Sequence, residues 1–187
     1  MRLKTLFGIL ITGCCIGSAS AATVTANITS LSTPGDYLFS FSVSGVSFAP
    51  YEALDVSFPA AQYSSLSNPT AGSGFSAFVL QPNSPLGVPG DYIAEALVNG
   101  PSLASPFTVA GHYTTSGDPR TRTLSYEFDQ YTSSGDFVGI VSANGSPLEG
   151  NVVINAPGVP EPGTAALMLL GLAAAIPIAY RRRRHVQ

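Results

Sequence analysis

Lysine is absent from every position but the fourth, tryptophan is absent altogether, and the only two cysteines, Cys14 and Cys15, stand side by side near the start. Charged residues make up only 10% of the 187 positions, against about 25% in an ordinary soluble domain. That scarcity excludes a coiled coil, a basic nucleic-acid binder and a charged disordered tail. A phosphate-cradling loop of the Gly-x-x-x-x-Gly-Lys type needs a lysine that the body of the chain lacks. Between the two ends there is one histidine, His112. A multi-histidine metal site is therefore impossible there, and no Gly-x-Ser-x-Gly elbow exists for a serine nucleophile. No calcium loop of the Asp-x-Asp-x-Asp-Gly kind occurs. Sustained helical periodicity is missing outside the terminal segments.

The few charges are unevenly placed. Arg2 and Lys4 open the chain and Arg181, Arg182, Arg183 and Arg184 nearly close it, while Arg120 and Arg122 are the only strong bases between. Ten of the eleven acids lie between residues 22 and 157, so this stretch carries a formal charge of −8. Such a surface repels phosphate backbones, and no nucleic-acid partner is expected.

Residues 1–21 read as a signal peptide. Met1-Arg2-Leu3-Lys4 is a short basic start, and Leu6 to Ile16 is an apolar run of 11 residues, too short to span about 30 Å of hydrocarbon as a helix. Ala19-Ser20-Ala21 supplies the small residues of a signal peptidase site at Ala19 and Ala21, with cleavage before Ala22. A buried N-terminal element is the alternative. Ile11-Thr12-Gly13-Cys14 also resembles a lipobox, in which Cys14 is lipidated. With peptidase cleavage before Ala22, the mature chain holds no cysteine. Disulfides and cysteine-bound zinc are then excluded.

Residues 158–187 form a second terminal unit. Val159 to Thr164 contain Pro160-Glu161-Pro162, whose prolines keep the backbone extended and non-helical. That is the form in which a protease cleft binds a chain. Residues 165–180 are apolar and make a helix of about 24 Å, slightly short for a bilayer. Thr164 and the arginine stems would reach the interfaces, and Pro177 is tolerable in a membrane helix. Residues 181–187 begin with four arginines, a membrane stop that stays cytoplasmic by the positive-inside rule. The body then lies on the opposite, periplasmic side.

Motif, single helix and terminal arginine cluster, in that order, resemble the PEP-CTERM sorting signal of Gram-negative bacteria. The resemblance implies processing by an exosortase, a membrane-embedded cysteine protease of the transpeptidase type, which removes the helix and passes the body to the cell surface or an exopolysaccharide matrix. A plain anchor that remains uncleaved is the alternative.

Residues 22–157 predict an all-β, single β-sandwich-like domain of about nine strands. Nine Phe and seven Tyr fall in this stretch, enough aromatic area for a core. Tyr37, Phe39, Phe41 and Val43 alternate with serines, as Leu124, Tyr126 and Phe128 alternate with Ser125, Glu127 and Asp129. The other candidate strands are 23–30, 54–58, 75–81, 92–98, 107–112, 137–141 and 152–154. Pro-Gly-Asp-Tyr occurs at 34–37 and 89–92, and Gly135-Asp136-Phe137 is close to it. Turn chemistry is the expected explanation of all three, since Gly takes positive φ and Asp caps its own backbone; a diverged duplication and calcium ligation are the alternatives. Glu127 with Asp129, and Asp91 with Glu95, each share a strand face that reads as solvated. Arg120 and Arg122 share another face, and His112 reads as an ordinary strand residue.

The expected function is that of an exported, non-enzymatic surface or extracellular-matrix protein, with no catalytic residue, metal or cofactor. Its expected partners are signal peptidase, exosortase, the inner membrane while it is a precursor, and exopolysaccharide. The alternatives are a carbohydrate-binding module with exposed tyrosine faces, a permanently membrane-anchored β-domain, and a hydrolase whose carboxylates are distant in sequence.

Overall fold

A computed structural model of the chain describes residues 22–143 and 145–155. Ala19, Ala21, Pro160, Glu161, Pro162 and Arg181 to Arg184 lie outside the described residues. So do the expected signal peptide, membrane helix and basic tail.

The described chain is all-β. In order it forms β1 (Thr23–Ser30), β2 (Asp36–Ser44), β3 (Glu52–Phe58), β4 (Tyr63–Thr70), β5 (Phe75–Leu80), β6 (Gly90–Ala96) and β7 (Phe107–Tyr113). There follow β8 (Ser125–Tyr131), β9 (Phe137–Ile140), β10 (Ser142–Ala143), β11 (Ser146–Pro147), β12 (Glu149–Asn151) and β13 (Val153–Asn155). Two 3₁₀ turns, Ser84–Leu86 and Pro119–Thr121, interrupt the strands. No helix among the described residues is long and apolar enough to cross a membrane.

Two large sheets hold most of these strands. The first has the order β13-β1-β2-β7-β4, and the second β12-β8-β3-β6-β5, with β9 also paired to β8. The period-two pattern explains how they meet. Phe39, Phe41 and Val43 of β2 point into the core while Ser42 and Ser44 stay exposed. Across the gap, Phe58 of β3 meets Phe39 with ring centroids 5.1 Å apart, and Tyr92 of β6 meets Phe41 at 5.9 Å. Phe48 against Phe128 (5.4 Å) and Phe75 against Phe107 (5.0 Å) extend the same layer. Aromatic pairs of this kind add about 0.5–1.5 kcal/mol each beyond the area they bury. The inner faces of the two sheets thus share one aromatic core, completed by Val24, Leu54, Val56 and Leu124.

Thirteen strand segments stand among the described residues where about nine were expected. The surplus is β4 and the three short strands β10 to β12. In β4 the buried residues are Tyr63 and Leu66, three apart, because the ladder with β7 shifts register between Tyr63 and Ser65. A bulge of this kind destroys the alternation that marks a strand. Asn68 then takes a positive φ of 51° before Pro69, so the segment resembles a loop by composition.

The edge of β4 is closed by a side chain. Gln81 donates from Nε2 to the Leu66 carbonyl (2.7 Å), and its Oε1 accepts from the Leu66 N–H (3.0 Å). The amide acts as a one-residue strand and occupies ladder positions another chain could use. Gln81→Ala is expected to cost about 1–2 kcal/mol and to increase association on heating. Urea unfolding and light scattering during a thermal ramp check both.

At the opposite edge the first and last described strands come together. β1 pairs in parallel with β13, Thr25 facing Val153 and Asn27 facing Asn155. The Tyr126 hydroxyl also donates to the Ala22 carbonyl (3.0 Å), which fastens the first described residue to β8.

The repeated Gly-Asp steps serve different ends. Gly35 and Gly135 adopt φ of 89° and 88°, as a turn demands. Gly90 needs no positive φ; a Cβ there would lie 2.5 Å from Pro82 Cδ, so this glycine is required by close packing.

Candidate functional site

The outer face of the second sheet carries a row of acids. In β3, Leu54, Val56 and Phe58 fill the core, so Asp55 must point the other way. In β8, Tyr126 and Phe128 point inward and Glu127 and Asp129 outward. The strand register places Asp55 directly opposite Glu127, and Glu149 of β12 directly opposite Glu127 on its other side. Ser57 faces Asp91 of β6. One oxygen from each of Asp55, Glu127 and Asp129 lies within 4.8 Å of the others.

Asp55, Asp91, Glu127 and Glu149 line an open groove of about 660 Å³, and Asp129 lies beside Asp55 and Glu127. The reading of Glu127 and Asp129 as a solvated pair is corrected here. Asp129 is only 3% exposed and Asp55 only 9%. Tyr131 donates its hydroxyl to Asp129 Oδ2 (3.1 Å) and packs edge-on against Phe137 of β9, 5.9 Å away. Asp129 Oδ1 is buried with no hydrogen-bond partner.

The electrostatics follow from this crowding. Burial, reinforced by the charges of Asp91, Asp129 and Glu127, pushes the Asp55 carboxyl up to about 8. Burial also raises Glu127, with the charges of Asp129, Glu149 and Asp91 acting in the same sense. Asp129 is raised by burial despite the Tyr131 hydrogen bond that favours its ionised form. Asp91 is raised by burial, with Ser57 opposing the change.

Among the described residues, no strong base relieves the repulsion. Arg120 donates to the Ile28 carbonyl (3.1 Å) and to Asp118 (3.1 Å). Arg122 donates to the Tyr113 hydroxyl (2.9 Å) and the Ser116 carbonyl (3.4 Å). Both are held around the β7–β8 connection.

His112 sits on the first sheet. Its Nδ1 lies 2.6 Å from Asp36 Oδ1, and Ser65 of β4 occupies the facing register position. Asp36, His112 and Ser65 therefore form a row across three strands. The ring makes no hydrogen bond to Ser65, and nothing in the row forms an oxyanion hole, so the arrangement lacks the contacts of a nucleophilic site.

Tyrosines exposed for sugar stacking are scarce. Tyr63, Tyr92, Tyr113 and Tyr126 are buried, and Tyr51 is the only exposed tyrosine among the described residues.

Sequence reasoning noticed Glu127, Asp129 and Asp91 but not Asp55, which joins them. A usable signal was present: an aspartate between Leu54 and Val56 in the middle of an apolar strand, where Asp is normally depleted.

Comparison with known families yields one match. A family model for the PEP-CTERM protein-sorting motif matches residues 158–184. The match covers the Pro160-Glu161-Pro162 segment and the apolar stretch after it. No curated protein matches the chain. The chain thus carries an exosortase-targeted sorting signal, which implies export and a membrane-anchored precursor before cleavage.

Proposed function

We propose that this chain is the precursor of a non-enzymatic surface or extracellular-matrix β-protein, trimmed at both ends during export. Signal peptidase removes residues 1–21 after Ala19-Ser20-Ala21. Residues 165–180 then hold the body on the periplasmic side, with Arg181, Arg182, Arg183 and Arg184 as the cytoplasmic stop. Exosortase recognises Pro160-Glu161-Pro162 and releases the domain toward the cell surface, where exopolysaccharide is its surrounding medium.

The observation that carries this reading is the sorting-motif match at residues 158–184. The fold agrees with it: the last strand, Val153–Asn155, ends before the motif, and the first, Thr23–Ser30, begins after the expected leader. Either cut leaves both large sheets whole. The few charges and the inward-turned tyrosines suit a structural component better than a sugar-binding module.

Mass spectrometry of the surface or secreted form tests the proposal. The expected protein begins at Ala22 and ends between residues 158 and 163. Retention of Arg181 to Arg184 in that material would establish a permanent anchor instead.

A further inference from the structure

We propose that Asp55, Glu127 and Asp129 form a binding site for a hard divalent cation, calcium in particular, on the outer face of the second sheet. The site is independent of how the chain is sorted.

The first argument is geometric. Three carboxylates from two neighbouring strands place one oxygen each within 4.8 Å of the others. Oxygens on opposite sides of a calcium ion, each at about 2.4 Å, are separated by about the same span. The donors are all oxygen, which suits a hard cation and not zinc or copper.

The second argument is that one of these side chains, and one oxygen of another, lack a partner. Asp55 is 9% exposed, lines the groove and accepts no hydrogen bond. Asp129 is 3% exposed, and its Oδ1 is buried without a donor. Buried polar atoms in folded proteins are nearly always satisfied, and an exception calls for a missing ion or water. The orphan atom is also well placed: Tyr131 holds Oδ2 of the same carboxylate, and outer hydrogen bonds of this kind orient metal ligands.

The third argument is the cross-strand pairing. Asp55 opposite Glu127, and Glu127 opposite Glu149, are like-charge pairs that destabilise a sheet. Both arginines are engaged elsewhere. A divalent cation converts this repulsion into attraction, and it also fastens β12, which bears Glu149, to β8. Calcium accepts six to eight oxygens in flexible geometry, so water, Asp91 or Glu149 can complete the shell. Magnesium demands a tighter octahedron and gives up its water reluctantly.

The test uses the full-length protein, purified in detergent and stripped with chelator. Terbium, a luminescent stand-in for calcium, should be sensitised by Tyr131, whose hydroxyl holds Asp129, and displaced by calcium. Calcium should bind with a dissociation constant of about 10⁻⁴–10⁻³ M, the range of extracellular modules. At about 10 mM it should raise the melting temperature by on the order of 5 °C. Asp55→Asn and Asp129→Asn should each abolish the calcium-dependent rise, while Asp136→Asn, in a distant exposed turn, should keep it. Should the groove variants fail to fold, the terbium and calcium titrations of the unaltered protein still decide. No calcium binding by that protein, or a rise undiminished in both groove variants, would overturn the site. A larger rise with magnesium than with calcium at equal concentration would overturn the choice of ion.

Discussion

In chelator, the protein is expected to lose stability steadily as pH rises from about 4 to about 9, by on the order of 5 kcal/mol. Asp55 drives the effect. Its carboxyl titrates near 3.8 in the unfolded chain and is raised to about 8 in the fold. The folded state therefore binds the proton more tightly. The resulting stability is fully present below the unfolded value and disappears as pH passes through the folded one. The charges that act on Asp55 all push in the same direction: Asp91 from β6, and Glu127 and Asp129 from β8. Asp91, Glu127 and Asp129 are themselves shifted upward. A loss of this size is a large part of the 5–15 kcal/mol that typically holds a domain together. Asp55→Asn keeps the shape and removes the ionisation, so it should flatten the profile and leave the variant several kcal/mol more stable than the parent at pH 9. Urea midpoints measured across this pH range in chelator check both statements. A flat profile in the parent protein would show that the acids repel less than their crowding implies.

Replacing Pro160, Glu161 and Pro162 together by alanine should leave the precursor in the inner membrane and lower release by roughly a hundredfold. The prolines keep this stretch extended, and alanine is the strongest helix former. Three alanines at 160–162 remove both residues that would hold the segment extended for a protease cleft. The charge of Glu161 is lost as well. The described strands end at Asn155, so the folded domain should be unaffected. Immunoblots of membrane and released fractions read the outcome directly. Equal release of parent and variant would remove the motif from the sorting mechanism.

The strands that sequence made visible are those whose two faces differ chemically. β1 and β2 follow their predicted spans closely because Phe39, Phe41 and Val43 alternate with small polar residues. β4 escaped because a bulge and the Asn68-Pro69 step break that rhythm. β10 to β12 escaped because two or three residues cannot display a period. The acid groove was half legible. Glu127 and Asp129 are two apart, and their shared face follows from pleating alone. The approach of Asp55 from β3 depends on strand order and register, which no local pattern encodes. Tyr131, which holds Asp129, is itself packed against Phe137 of a strand that follows a turn.

The parallel pairing of β1 with β13 has a consequence for export. A chain crossing the membrane from its N-terminus delivers β1 well over a hundred residues before the strand that will lie beside it. Through that interval β1 shows an unmatched row of backbone donors and acceptors to the compartment it has entered. The last strand to emerge is the one that seals it, just ahead of the sorting segment. A product cut short of Val153 would therefore arrive with an open flank, ready to recruit a strand from a neighbouring copy.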